Sequence, residues 1–207
     1  MSEPVPLSGR RRVTPEQIVD AAAALFAREG YHAVGTRHIA DELGIRGASL
    51  YHHYASKEEI LAAICRRVTL EPVEETLPLL DDAGSPGTRL AALCRAHLEH
   101  LVRRRVEFLV GLQELAALTP EHRAEVETHR RHYQRRVRDT VAAGVRSGEF
   151  TVEDPALAAL ALLDALNGTA RWLDPSGPRS PAVVADVYVR MLVDGLLGRR
   201  TAEDAGR

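Results

Sequence analysis

Thr36-Arg-His-Ile-Ala-Asp-Glu-Leu-Gly44-Ile-Arg46-Gly-Ala-Ser-Leu-Tyr51-His-His-Tyr54-Ala-Ser-Lys57 is the stretch that decides the fold. Thr36 can cap a helix, and Ile39, Ala40 and Leu43 then recur on one face. Gly44 interrupts the run where a tight turn needs a residue free to take positive φ. A second helix is expected from about Gly47 to Tyr54, with Leu50 and Tyr54 four apart on its buried side. Two short helices joined by such a turn outline a helix-turn-helix, a motif that lays its second helix in the DNA major groove.

The flanks extend this unit. Thr14, Pro15 and Gln17 form a capping box with proline at the first helical position. Ile18, Ala21, Ala22, Leu25 and Phe26 follow at helical spacing, and Gly30 is a left-handed stop. Ser56 and Glu59 make a second capping box, ahead of an apolar face of Ile60, Leu61, Ile64 and Val68. The expected partition is a flexible basic arm over 1–12, a helix-turn-helix domain over 13–56, a connecting helix over 56–70, a helical domain over 71–200 and a disordered tail over 201–207. A unit of about 55 residues sits near the lower limit for folding alone, so it needs support from the rest of the chain.

Downstream, Asp81 to Gly87 reads as a linker. Leu90, Leu93, Cys94, His97, Leu98 and Leu101 form one helical stripe. Val106 to Leu118 reads as a nearly all-apolar helix. A long Arg-rich helix follows over about Glu121 to Arg146, ended by Gly148. Asp154-Pro155 opens an Ala/Leu run with Leu157, Leu160, Leu163 and Leu166, and Ser180-Pro181 opens a last helix reaching Leu197. No strand pattern and no repeat stands out, so the fold class is all-α. The last two helices are apolar on most sides, which calls for burial against a second subunit; a fully internal helix is the alternative.

Composition narrows the function. The 207 residues are 45% hydrophobic with a formal net charge of −2. Net charge is a bulk measure, and a basic stripe can sit on an acidic protein. Of 27 basic residues one is lysine, Lys57, which leaves 27 − 1 = 26 arginines. No apolar run reaches the roughly 18 residues that span a bilayer. Arg10–Arg12 lead into Thr14-Pro15-Glu16, not into an apolar signal segment. Cys65 and Cys94 lie far apart without a disulfide framework, which suits a reducing cytoplasm. No nucleophile elbow, phosphate loop, dinucleotide-binding glycine pattern or HExxH is present. The pairs His97/His100 and His129/His132 lack the cysteines or carboxylates of a zinc site. No catalytic residue, metal or cofactor is therefore assigned.

The arrangement resembles the TetR family of bacterial transcriptional regulators. The resemblance rests on Ala23–Phe26, Gly30-Tyr31, Thr36, Ile39-Ala40, Gly44-Ile45, Leu50 to Tyr54 and Ser56 to Glu59, within about residues 12–62. It implies a DNA-binding domain followed by a helical ligand-binding and dimerisation domain. A weaker similarity, over Gln113-Glu114-Leu115, Pro120 to Arg123, Gly144 to Phe150 and Leu166 to Trp172, points to members whose ligand is an acyl-CoA thioester. Here the last run continues Leu173-Asp174-Pro175, without the bulky, often aromatic residue and Pro-Gly loop of that subset.

The resemblance implies roles for particular residues. The Tyr51 hydroxyl would reach a phosphate, with Thr36 and His53 similarly placed. Lys57 would meet an anion at a helix N-terminus, where amides and dipole already favour one. Base reading would fall to Arg37, Arg46, Ser49 and His52, while Gly47 and Ala48 let the helix approach closely. Arg46 stands where the family often has a capping Ser or Thr, which makes it the candidate for sequence-specific reading. The ligand pocket would lie between the middle helices, lined by Phe108, Leu109, Leu112, Leu115, Leu163, Leu166 and Trp172; each could equally be core. Asn167 and Arg171, four apart on an apolar helix, need polar partners. The Arg-rich runs Arg103–Arg105, Arg130-Arg131 and Arg135-Arg136 are either phosphate ligands for CoA or solvated faces. The expected partners are double-stranded operator DNA, a second copy of the chain and a small-molecule effector, with acyl-CoA as the candidate class. The competing reading is a helical small-molecule binding protein with a vestigial helix-turn-helix.

Overall fold

The structure, a computed structural model, describes residues 13–198. The expectations for the arm with Arg10–Arg12 and for the tail over 201–207 lie outside the described residues. The described residues form helices and turns without a strand. In chain order the helices are α1 (Pro15–Glu29), α2 (Thr36–Glu42), α3 (Gly47–Tyr51), α4 (Lys57–Glu75), α5 (Pro86–Arg103), α6 (Arg105–Gln113), α7 (Pro120–Arg146), α8 (Pro155–Gly168) and α9 (Pro181–Val189).

Local chemistry sets most boundaries. Thr14 Oγ1 accepts from the Gln17 amide, and the Gln17 side chain accepts from the Thr14 amide, closing the capping box of α1. Ser56, Ser85, Thr119 and Asp154 cap α4, α5, α7 and α8 with side-chain oxygens. Glu59 reaches past Ser56 to the Ala55 amide, one residue earlier than the sequence pattern implies. Thr36 is not a cap: Gly35 holds that position, and Thr36 is the first residue of α2. Gly44, at φ +64°, closes α2, and the Ile45 amide returns to the Ala40 carbonyl. Regular α3 ends at Tyr51, although the Tyr54 amide still donates to the Leu50 carbonyl.

One long-helix expectation fails, and another holds with a change of winding. The stretch Val106 to Leu118 is not one helix: α6 stops at Gln113, and a 3-10 turn over Leu115–Ala117 leads into Thr119-Pro120. The proline opens α7, and the chain must turn before it. The last helix changes to a π-helical turn over Arg190–Leu196, where the Leu197 amide bonds the Leu192 carbonyl.

Two cores result, and α4 runs between them. One gathers α1 to α4 around Ile18, Phe26, Ile39, Leu50, Ile60 and Ile64, and it is completed by Val110, Leu118 and Val126 from farther along the chain. The other gathers α5, α7, α8 and α9 around Leu93, Leu98, Val141, Leu162 and Leu166, together with Leu77 and Leu80 just beyond α4. The support that the small N-terminal unit needs therefore comes from α6 and α7.

Candidate nucleic-acid interface and ligand cavity

The outer face of α2, the turn and α3 is built from buried anchors with polar residues between them. Ile39 and Leu50 are fully buried and fix the two short helices, which turns Arg37, Arg46, Gly47, Ala48, Ser49, Tyr51, His52 and His53 to solvent. Thr36 is half-buried beside them. Tyr51 is 54% exposed, and its hydroxyl lies 2.9 Å from Thr36 Oγ1, which joins the first residue of α2 to the last of α3. Arg46 holds the N-cap position of α3 without a side-chain capping bond. Among the described residues neither Arg37 nor Arg46 is paired with a carboxylate, so both guanidinium groups keep their donors for a partner.

Lys57 differs from the expectation. Its Nζ donates to the Tyr31 and Val34 carbonyls at 2.8 Å each and stands 4.2 Å from the centroid of the Tyr31 ring. Two of its three protons hold the loop between α1 and α2. A cation is tolerated at this helix start because two carbonyls and an aromatic face outweigh the unfavourable dipole.

Between α4, α5, α6, α7 and α8 lies a cavity of about 290 Å³. Its walls are Val68, Thr69 and Pro72 of α4, His97 of α5, Phe108 of α6, Arg130, Tyr133 and Gln134 of α7, and Leu160, Leu163, Asp164 and Asn167 of α8. A smaller space of about 30 Å³ adjoins it, lined by Leu112 and Leu115 and sharing Val68, Thr69, Phe108 and Arg130. Phe108, Leu163 and Asn167 thus face the main cavity, and Leu112 and Leu115 the smaller one. Leu166 is fully buried in the core.

Arg171 and Trp172 do not line it. Beyond Gly168 the chain enters a 3-10 turn over Thr169–Arg171, with Thr169 and Ala170 buried. A 3-10 turn advances about 120° per residue against about 100° in an α-helix, so the i, i+4 relation between Asn167 and Arg171 is lost. Arg171 is exposed, and Trp172, 48% exposed, tilts against Tyr188.

The Arg-rich runs are mostly engaged. Arg103 pairs with Glu75, Arg104 with Glu71 and Glu107, Arg131 with Glu127, and Arg136 with Asp81. Arg105 donates to the Ala170 carbonyl. Arg130 alone of these arginines lines the cavity, and no carboxylate pairs with it among the described residues.

Beyond Asn167 and Arg130, sequence reasoning missed the polar side of the cavity. His97 Nδ1 lies 3.1 Å from the Tyr133 hydroxyl, and Nε2 lies 3.1 Å from Asn167 Oδ1. Burial holds the His97 imidazole neutral, with a pKa of about 4, and pushes the Tyr133 phenol up. The available signal was a histidine inside an apolar stripe and a tyrosine inside an arginine-rich helix, since a buried polar group demands a partner.

On the far side, Leu157 of α8 and Val183, Val187 and Met191 at and beyond α9 are exposed apolar residues. Leu160 and Leu196 are exposed as well, whereas Leu162, Leu163, Leu166, Val184, Val189, Leu192, Val193 and Leu197 are buried in the chain's own core, so the apolar residues of these helices are divided between core and surface.

An exposed recognition helix on a small helical head, joined by one long helix to a cavity-bearing helical body, defines a helix-turn-helix transcriptional regulator that responds to a ligand. Comparison with known proteins agrees. The profile of bacterial regulatory proteins of the tetR family matches residues 18–64, and that of the tetracyclin repressor-like C-terminal domain matches 83–196. The HTH-type transcriptional repressor KstR2 of Rhodococcus jostii (strain RHA1) is 30% identical over 194 residues, covering 91% of this chain and 92% of that protein. PfmR of Thermus thermophilus, a TetR family transcriptional regulator, superposes with a TM-score of 0.81 at 34% identity, covering 86% of this chain and 98% of that one. AibR, in a complex with isovaleryl coenzyme A and operator DNA, superposes with a TM-score of 0.77 at 29% identity, covering 86% and 97%. The chain belongs to the TetR family of transcriptional regulators.

Proposed function

We propose that the chain is a homodimeric repressor that leaves its operator when an acyl-CoA thioester enters the cavity. The observation that carries this is the cavity's place: α4 walls it at Val68, Thr69 and Pro72 and also enters the core of the reading head. A ligand that fits one position of α4 better than another shifts the two-state balance of the head by that difference in affinity. At about 290 Å³ the cavity suits an acyl group and leaves the nucleotide outside. Arg130 offers its guanidinium to an anionic part of such a ligand, and the AibR complex is a structural relative with an acyl-CoA bound. The exposed apolar residues Leu157, Val183 and Met191 supply the face for a second copy.

On DNA, Arg37, Arg46, Ser49 and His52 read bases, and Thr36, Tyr51 and His53 contact phosphates, with Gly47 and Ala48 allowing close approach. Lys57 supports the loop behind them through the Tyr31 and Val34 carbonyls. The setting of this activity is the cytoplasm.

Fluorescence anisotropy on fragments of the chain's own upstream DNA tests the reading. Wild type binds a palindromic site in a salt-sensitive way, and Arg46→Ala loses about 1–3 kcal/mol of discrimination at one base position per half-site. CoA thioesters from isovaleryl upward release the DNA, and the matching free acids do not. Binding that no thioester weakens sinks the effector assignment; absence of specific binding sinks the repressor.

A further inference from the structure

Four polar contacts, three of them buried and the one at Asn167 partly buried, form an unbroken row from the cavity wall to α4. Asn167 Oδ1 faces His97 Nε2 at 3.1 Å, His97 Nδ1 faces the Tyr133 hydroxyl at 3.1 Å, and that hydroxyl lies 2.9 Å from Thr76 Oγ1. Thr76 Oγ1 donates to the Pro72 carbonyl at 2.7 Å, and the Thr76 amide donates to the same oxygen at 3.0 Å. Asn167, His97, Tyr133 and Pro72 line the cavity, whereas Thr76, 2% exposed, lies behind it at the end of α4. Pro72 sits inside α4 and has no N–H, so the helix is already one bond short at this point.

The protons along this row are few enough to count. A carbonyl only accepts, so the single Thr76 hydroxyl proton serves either Pro72 or Tyr133. With Asn167 Oδ1 toward His97, Nε2 carries the ring proton, Nδ1 accepts from Tyr133, and the Thr76 hydroxyl is left between two acceptors. If the carboxamide turns over, its N–H donates to Nε2, Nδ1–H donates to Tyr133, Tyr133 donates to Thr76, and Thr76 is committed to Pro72. The orientation of one amide in the cavity wall thus decides how firmly the last turn of α4 is held.

We propose that Asn167 reads an uncharged acceptor oxygen of the effector, and that His97, Tyr133 and Thr76 carry its choice of orientation to Pro72 in α4. For an acyl-CoA the acceptor is the thioester carbonyl, so this rests on the effector class proposed above. Without a ligand the amide exchanges between the two orientations; such an oxygen takes the amide N–H groups, selects Oδ1 toward His97 and leaves the Thr76 proton shared, which loosens α4 relative to the turned-over state. Asn167, His97 and Tyr133 supply no positive charge, and Asp164 lies in the same wall. An ionised carboxylate therefore gains no partner there that offsets its desolvation; anionic groups belong at Arg130. Asn167 is the specificity-determining residue, and Thr76 is a positioning residue that never touches the ligand.

Hydrogen–deuterium exchange on the full chain tests this with and without ligand. In the unliganded protein, Asn167→Ala and Thr76→Val each change exchange of residues 73–77 by at least threefold, while Thr76→Ser and residues 57–66 stay within twofold of wild type. If Asn167→Ala leaves 73–77 at the wild-type rate while Thr76→Val alters it, the row does not transmit and the proposal falls. In the liganded arm, isovaleryl-CoA and longer thioesters are the probes. A thioester that binds Thr76→Val within threefold of wild type, yet releases DNA at least tenfold less effectively, supports the relay; full release by Thr76→Val overturns it. If no thioester binds wild type, the effector class fails, and the exchange result still decides the coupling.

Discussion

Lys57 shows how a single side chain can be conspicuous in the sequence and have its partners hidden. As the lone lysine at a helix start next to a recognition helix, it looks like a phosphate ligand. The structure gives two of its protons to the Tyr31 and Val34 carbonyls. We expect Lys57→Gln to lower the melting temperature by several degrees, since each 1 kcal/mol lost moves a chain of this size by about 2–4 °C. The salt dependence of operator binding should hardly change; a drop of about one in its slope would instead mark a phosphate contact. Arg46 is the opposite case. Its displacement of a capping residue was visible in the sequence, and the N-cap of α3 indeed has no side-chain bond.

Among the elements, α7 is held at its C-terminal end by a close approach. A Cβ added at Gly144 would lie 2.1 Å from the Phe150 ring, which is itself 2% exposed in the larger core. Gly144→Ala should therefore lose about 1–3 kcal/mol in urea unfolding, the usual cost of overpacking a tight site. A change under 0.5 kcal/mol would show that the ring moves freely. At its other end α7 holds α4. Glu58 accepts from the Thr119 amide at 2.8 Å and lies 2.9 Å from His122 Nδ1. Burial alone would raise its carboxyl, but these partners more than offset that and leave it below the ordinary range. The sequence placed the start of α7 at about Glu121, one residue late, whereas the grip of Thr119 on Glu58, 61 residues earlier, was not legible. The same limit explains Arg171 and Trp172: periodicity extrapolates a helix, and nothing local announced the 3-10 turn that rotates them out of the cavity.

At the scale of the molecule the two cores are not independent. Val110, Leu118 and Val126 finish the core of the reading head. Removing them exposes about 1.5–3 kcal/mol of burial per side chain in a unit already marginal by size. A fragment ending at Glu75 is expected to show little cooperative unfolding by circular dichroism; a sharp transition would refute this. Acid sensitivity is also a global property. Burial, the largest cause, lowers both His97 and His100 from 6.5 to about 4. Arg103 lowers His100 further and Glu75 partly opposes. Between those values the unfolded chain binds protons that the folded one does not, so stability rises with pH. It is fully present above about 6.5 and falls as pH drops toward 4, by at most about 1.4 kcal/mol per pH unit for each histidine. Urea midpoints between pH 7 and 4.5 check this; a flat profile would show that the buried rings are hydrated.

The sequence by itself determined the helical class, the helix-turn-helix, the capped starts of α1 and α4, the approximate starts of α7 and α8, and the exposed residues of the recognition helix. These depend on neighbours within about four positions, where periodicity, capping and turn chemistry act. Only the tertiary structure decided that Lys57 holds a loop, that Arg130 rather than the other arginines lines the cavity, and that Asn167 connects through His97, Tyr133 and Thr76 to Pro72. Those partners lie tens of residues apart, and burial between packed helices, which no local pattern encodes, is what makes each of them necessary.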